Sequence, residues 1–544
     1  MKTKKIFASF LILGLTIFMI ISIIAMFQSN MLFYGADMLY NFLNIDSHDS
    51  NILLINGLFY SLFIVLLIVS YIKIISLLRK DFKINSEISN NATKSDKNNS
   101  INKKLKNSHS RQEQNVALLK EDNDIIHSNI KFVVSLVLIV SAITIFILPN
   151  NSGDVYYYIA TGRMSSIYKI NPYNVTLDEA RKLYPNDPVL ANCYKYSATY
   201  AYCGIWLIIC KILACIPTNF NLLFLLFFKF LSIASHLLNC YLIFKLSLIH
   251  QKELKNSNNK FKLREIFSLY SPAQINKALI NTIIYALNPL VIIDLLINCH
   301  NDILLILSIL LAFYLKKTHR INQSILAITF GALIKYFPFM FLPYLLNEEK
   351  SNKKIFLYIL ESATIFIGVT FLVSGNVKNM TSFLTQASLY STSFYLWILT
   401  LSNYNFEMLK VISKIGKVVF LIIYFYSIAR IYIKEKKKNE KIQESTKMNI
   451  YMFLVISFIL LALTSIRSWY YTWILVCIPF FDIEKDHLQL STIMNITISM
   501  VIAVSTMYLL GETYIVSNYT FLIFIILSIF FSLTDKINEK KVVN

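Results

Sequence analysis

IFASFLILGLTIFMIISIIAMF, residues 6–27, holds no charged side chain and follows Lys2, Lys4 and Lys5. Wound as a helix at about 1.5 Å per residue, it is long enough to cross a hydrocarbon core of about 30 Å. It is too long for the core of a signal peptide, and no small-x-small cleavage site follows it, so it reads as a retained anchor. Runs of the same kind recur near 52–78, 130–148, 221–247, 277–297, 302–316, 354–374, 409–433, 449–466, 470–482, 490–510 and 518–533. Those at 302–316 and 470–482 are short and run towards their neighbours. The chain is 56% hydrophobic, with a mean hydropathy of +0.55. The expected fold is all-α: a polytopic transmembrane helical bundle of about 12 spans. A transmembrane barrel is excluded, because its strands alternate apolar and polar residues in short segments.

Residues 79–129 break the pattern. NSEISNNATKSDKNNSINKKLKNSHSRQEQN has almost no large apolar side chain, and its lysines belong on the cytoplasmic side. The expected organisation is two N-terminal transmembrane helices over 1–78 and a disordered cytoplasmic linker over 79–129. A transmembrane core follows over 130–482, then C-terminal transmembrane helices over 483–544.

A net charge of +21 would suggest nucleic acid in a soluble protein. Here the basic residues sit in short loops and one linker, which is the pattern that orients a membrane protein, so nucleic acid is not an expected partner. Most of the seven cysteines lie within apolar runs and pack as small hydrophobes. No cluster has zinc-ligand spacing.

The basic loops at 251–264, 316–320, 347–354 and 434–441 fall on one side under a single scheme with two conditions. Residues 198–217 must be a surface or re-entrant element of the first outer loop. Residues 323–346 must be a broken hairpin that returns to the side it came from. Lys335 and Pro338 supply the motive: proline breaks the helix ladder, and an intramembrane lysine needs a partner or water. The scheme puts Asp154, the NCHND at 298–302 and the RSW at 467–469 on the same, outer, side.

Those positions carry the candidate chemistry. Asp154 opens DVYYYIATGR and has two readings, a helix cap or a general base whose basicity the membrane raises. In a helix Asp154, Tyr158 and Thr161 share a face, while Tyr156 and Tyr157 read as an interfacial aromatic belt. His300, Asn301 and Asp302 form a polar hinge between two apolar runs, and Asp294 adds an acid on the preceding helix. Lys335, Arg163 and Arg467 are cations that suit a phosphate, or that pair with Asp302 or Asp294. The chain has no GxxxxGKS/T, no GxGxxG after a strand, no HExxH and no GxSxG. Nucleotide hydrolysis, dinucleotide chemistry, zinc proteolysis and serine hydrolysis therefore lack support.

These pieces, in this order, resemble the polytopic GT-C glycosyltransferases, above all the polyprenyl-phosphate-mannose-dependent mannosyltransferases of bacteria and the first mannosyltransferase of GPI assembly. The likeness rests on SGDVYYYIATGR at 152–163, the Asn171-Pro172-Tyr173 turn and Tyr202-Cys203-Gly204-Ile205-Trp206. It continues through ALNPLVIIDLLINCHND at 286–302, GALIKYFPFMFLPYLL at 331–346 and RSWYYTW at 467–473. It covers roughly residues 130–480, with Cys299 standing where glycine is common and the proline of the Tyr-Gly-Pro-Leu-Trp segment missing. The resemblance implies transfer of a hexose, with mannose as its usual sugar, from a polyprenyl-phosphate donor to a lipid or glycan acceptor, with inversion, at the outer face of the cell membrane. It implies Asp154 as general base. Tyr158, Arg163, Asp294, His300, Asn301, Asp302, Lys335, Arg467, Trp469 and Tyr470 would bind donor or acceptor. No cofactor is required, and a divalent ion near Asp154 and Asp302 is left open. The competing reading is a flippase for lipid-linked sugars. Transporters show interrupted helices in matching halves, and the break at Lys335–Pro338 has no counterpart. A lipid-linked oligosaccharide ligase ranks third.

Overall fold

The structure is a computed structural model describing residues 2–28, 62–80, 108–149, 152–192, 199–217, 221–253, 270–375, 393–403, 405–437, 440–510 and 522–530. Its ordered elements are all helical. Among the described residues, eight helices are long and apolar enough to span a membrane: Thr3–Ile20, Leu62–Lys80, Asp124–Ile145, Leu222–Gln251, Asn352–Ser374, Phe406–Lys436, Glu444–Ala462 and His487–Val504. The fold is an all-α polytopic bundle, as the apolar runs require.

The expected span at 277–297 is a bent pair, Pro272–Ala286 and Val291–Ile297, meeting at 64°. The first helix starts at a capping box, in which Ser271 and Gln274 satisfy each other's backbone N–H and Pro272 takes the first turn. Pro289 interrupts the ladder. Asn288 holds the break, its Oδ1 accepting from the Leu290 N–H at 3.0 Å and its Nδ2 donating to Thr497 Oγ1 at 3.1 Å.

Two expected spans differ. Asp302–Lys317 has 16 residues, about 24 Å of helix. Residues 470–482 fall mostly in a 3-10 segment, Ser468–Phe480, of 13 residues, about 26 Å at that helix's rise. Both are largely buried inside the protein. The linker expected over 79–129 also differs at its end. Ser108–Ile145 is one 38-residue helix, so 108–129 is helical and 81–107 lie outside the described residues. Good helix formers such as Gln112, Glu113, Ala117, Leu118 and Leu119 extend the turn structure of the apolar segment backwards.

The broken hairpin is present. Ile321–Ala332 packs along Asp302–Lys317, its Gly331 so close that a Cβ would lie 1.9 Å from Ser308 Oγ. The chain breaks over 333–336 and returns through Phe337–Phe341 and Leu342–Leu346. At its tip Lys335 meets Asp302 at one end of the partner helix. At its base the Tyr344 carbonyl accepts from Lys316 at the other end, 2.8 Å away. The hairpin therefore leaves at the end where it entered.

Burial separates core from periphery. In the best apolar window of Asn352–Ser374, and of Phe406–Lys436, 11% of residues are buried, against 50% in Leu62–Lys80. Those two helices are rim elements, and the bent pair, the hairpin and the 3-10 segment form the centre.

Candidate active site

The segment that follows the Ser108–Ile145 helix builds one wall. Asp154 is the first residue of the Asp154–Ser166 helix, where a carboxylate is favoured by the helix dipole. Gly162, two turns on, sits under the short helix Gly204–Leu213, and a Cβ there would lie 2.3 Å from the Cys210 carbonyl oxygen. This close approach brings the loop before Gly204, and with it Tyr202, up to Asp154.

Three groups converge on Asp154 Oδ2. The Tyr202 hydroxyl donates to it at 3.1 Å, the Tyr158 hydroxyl lies at 3.5 Å, and His300 Nδ1 lies at 3.6 Å. Tyr158 and Tyr202 are themselves 3.3 Å apart. Asp154 and Tyr158 share a helix face as their spacing requires. Burial pushes the His300 imidazole from its ordinary 6.5 down to about 4, against the opposing pull of the Asp154 and Asp302 carboxylates. At neutral pH it is therefore an uncharged ring beside a carboxylate, and at 3.6 Å the contact is too long for a good hydrogen bond. Trp469 stacks on that ring with centroids 3.6 Å apart.

The second wall is the start of Asp302–Lys317 and the tip of the hairpin. Lys335 Nζ reaches both Asp302 oxygens at 3.1 Å, and the Trp473 indole N–H donates to Asp302 Oδ1 at 2.6 Å. In a 3-10 helix residues three apart eclipse, and Tyr470 stacks on Trp473 with centroids 4.7 Å apart. Their faces meet the ammonium: Lys335 Nζ is 4.7 Å from the Tyr470 centroid, 5.5 Å from that of Trp473 and 5.9 Å from that of Tyr202. Tyr202 thus joins the walls, its hydroxyl on Asp154 and its ring beside Lys335. Side-chain exposure is 17% for Asp154 and 15% for Lys335, but 0% for His300 and Asp302. The carboxylate and the ammonium that reach open space belong to different walls, and each is backed by a sealed partner.

The remaining expected residues divide. The charge of Arg467, at the start of the 3-10 segment, is felt at His300. Asn301 is buried, and neither its Oδ1 nor its Nδ2 finds a hydrogen-bond partner among the described residues. Asp294 is buried in the Val291–Ile297 turn, within 3.5 Å of the Asn298 amide. Arg163 departs from expectation. Its Nε binds Asp187 Oδ2 at 2.6 Å in a buried pair that also takes the Tyr168 hydroxyl at 2.5 Å. At the far end of its helix it ties that helix to the segment around Asp187 instead of facing Asp302 or Asp294. Tyr156 and Tyr157 are buried rather than lying in an exposed belt.

Tyr202, Trp473 and Asp187 are contributors that sequence reasoning did not assign. The first two lie inside the Tyr-Cys-Gly-Ile-Trp and RSWYYTW blocks, but only an eclipsed 3-10 register aligns Trp473 with Tyr470. Cys299 has a φ of 55°, the left-handed region that favours glycine, and this accounts for the residue common at its place in the resembling family. Among the described residues no three His, Cys, Asp or Glu side chains group as metal ligands.

A carboxylate, phenols and an ammonium are thus gathered at one site of an all-helical bundle with membrane-spanning helices. Residues 272–347 match the sequence model of the MptA_B family, described as alpha-(1->6)-mannopyranosyltransferase, N-terminal domain. The matched stretch runs from the bent pair through His300, Asn301 and Asp302 to the end of the hairpin, and it supports a GT-C-like glycosyltransferase of mannosyl type. No curated protein and no solved structure matches the chain.

Proposed function

We propose that the protein transfers a mannosyl residue from a polyprenyl-phosphate donor to a lipid or glycan acceptor at the outer face of the cell membrane, with inversion, and that Asp154 is the general base. The observation that carries this reading is the pairing of two partly open, oppositely charged groups on facing walls, Asp154 and Lys335. Asp154 takes the proton from the acceptor hydroxyl, whose oxygen bonds to the anomeric carbon. The bond from that carbon to the phosphate oxygen breaks on the opposite face, and its electron pair leaves with the polyprenyl phosphate. Lys335, the ammonium that reaches open space, would stabilise that charge, with Arg467 as a second cation. The buried, unpartnered amide of Asn301 suits a sugar hydroxyl, because a buried polar group without a partner is costly. Trp469 and Tyr470 offer aromatic faces, and Tyr158 and Tyr202 hold the base in place.

The test uses purified protein in liposomes with labelled polyprenyl-phosphate-mannose and a lipid and glycan extract as acceptor. Wild type should transfer label, and Asp154→Asn, which retains the size and hydrogen bonding of the side chain, should lose it by about 100-fold or more. Full turnover in the variant would remove Asp154 from this role. Label crossing the bilayer without transfer by either protein would turn the reading to a flippase.

A further inference from the structure

Lys229 lies in the apolar run NLLFLLFFKFLS of the Asn221–Glu253 helix and is fully buried. A charge at such a depth needs compensation. Its partners among the described residues are backbone carbonyls. Nζ lies 3.1 Å from Thr144 O, 2.7 Å from Ile147 O, 3.2 Å from Leu296 O and 2.6 Å from Ile297 O, four acceptors that share its three N–H groups.

The four acceptors come in two pairs. Thr144 is in the last turn of Ser108–Ile145 and Ile147 is two residues past its end, on the stretch that leads into Asp154. Leu296 and Ile297 end the Val291–Ile297 turn, immediately before His300 and Asp302. The last carbonyls of a helix have no partner within it and carry the negative end of its dipole. Two such ends brought together repel each other and cannot satisfy one another, since both are acceptors. A single ammonium between them supplies donors to both and cancels the repulsion.

We propose that Lys229 is a positioning residue that clamps these two helix ends together and so sets the separation between Asp154 and the His300–Asp302 wall. It touches neither group and acts through the backbone that carries them. The catalytic part of this inference rests on the reading of Asp154 as the base; the structural part does not.

The experiment compares wild type with Lys229→Met in the full-length protein, reconstituted in nanodiscs, by hydrogen exchange and by transfer kinetics. Exchange should rise in peptides covering 143–150 and 294–301 and stay unchanged over 321–346. The kcat for transfer should fall about 100-fold, the scale of a reacting group displaced by about 1 Å, with KM for the donor unchanged. In an Asp154→Asn background Lys229→Met should add no further loss, because both act on one step. Where Lys229→Met does not insert, Lys229→Gln, which keeps an N–H donor without the charge, should show a smaller change in the same two segments. Unchanged exchange in both segments overturns the clamp. Raised exchange with unchanged kcat overturns its catalytic role. Full activity in Asp154→Asn alone refutes the reading of the base, while the exchange data still decide the clamp.

Discussion

The Trp473 indole N–H and Asp302 Oδ1 are 171 positions apart in the chain and 2.6 Å apart in the fold. The same oxygen takes Lys335 Nζ at 3.1 Å, so the sealed carboxylate is held by the indole and the ammonium together. Trp473→Phe keeps an aromatic ring beside Phe337, which stacks on Trp473 with centroids 4.0 Å apart, and removes the donor together with part of the buried ring. A hydrogen bond to a charged group contributes about 2 kcal/mol. Thermal unfolding in detergent should show a loss of that order, and an unshifted midpoint would refute the assignment.

Arg163 and Asp187 form a pair with side-chain exposures of 5% and 1%. Removing one member of a buried pair strands the other and costs about 3 kcal/mol or more. Arg163→Ala should therefore lower the unfolding midpoint, while transfer per correctly folded molecule stays near wild type. A selective loss of donor affinity at unchanged stability would instead return Arg163 to the phosphate.

His300 gives the stability a pH dependence. Its imidazole is lowered from 6.5 to about 4 by burial, so between those values the unfolded chain binds more protons than the folded one. Its stabilising contribution is complete above about pH 6.5 and is lost as pH falls through about 4. Unfolding midpoints measured from pH 7.5 to 4.5 should fall on acidification, and His300→Gln should flatten the decline. An equal slope in the variant would place the titration elsewhere.

Cys299 holds a φ of 55° in a buried turn. A β-branched residue is strained there by about 1–2 kcal/mol. Cys299→Val should be less stable than wild type through added crowding at Cβ, whereas Cys299→Gly, free of the left-handed penalty, should be tolerated. Equal midpoints for the two variants would show that the turn relaxes.

The proposal of a site at the outer face predicts a labelling pattern. Leu183 and Lys353 are both exposed, one in the segment after Asp154 and the other in a basic loop. In a cysteine-free background, Leu183→Cys should react with an impermeant maleimide on intact cells and Lys353→Cys only after lysis. The reverse pattern would put the site on the cytoplasmic side.

The site was legible in the sequence where a polar residue interrupts an apolar run. Asp154, His300, Asp302 and Lys335 stood out because charge at membrane depth is costly, and the proline at 338 announced the break that carries Lys335 to Asp302. Lys229 interrupts an apolar run in the same way, and that signal was there to be read. Its role was not, because its partners are carbonyls, which every residue possesses. Arg163 shows the converse: a cation in a conspicuous motif whose partner, Asp187, lies in an ordinary polar stretch.

The all-α class and the apolar helices follow from the sequence alone, because hydropathy and proline placement are properties of a window about 20 residues long and need no distant neighbour. Which carboxylate meets which cation was decided by the tertiary structure. Asp302 had Arg163, Lys335 and Arg467 as rivals of equal charge, and only the packing of the hairpin and the 3-10 segment around its helix brings Lys335 and Trp473 to it. Attraction between charges falls with distance, and in a bundle that distance is set by which helices pack together, not by their separation along the chain.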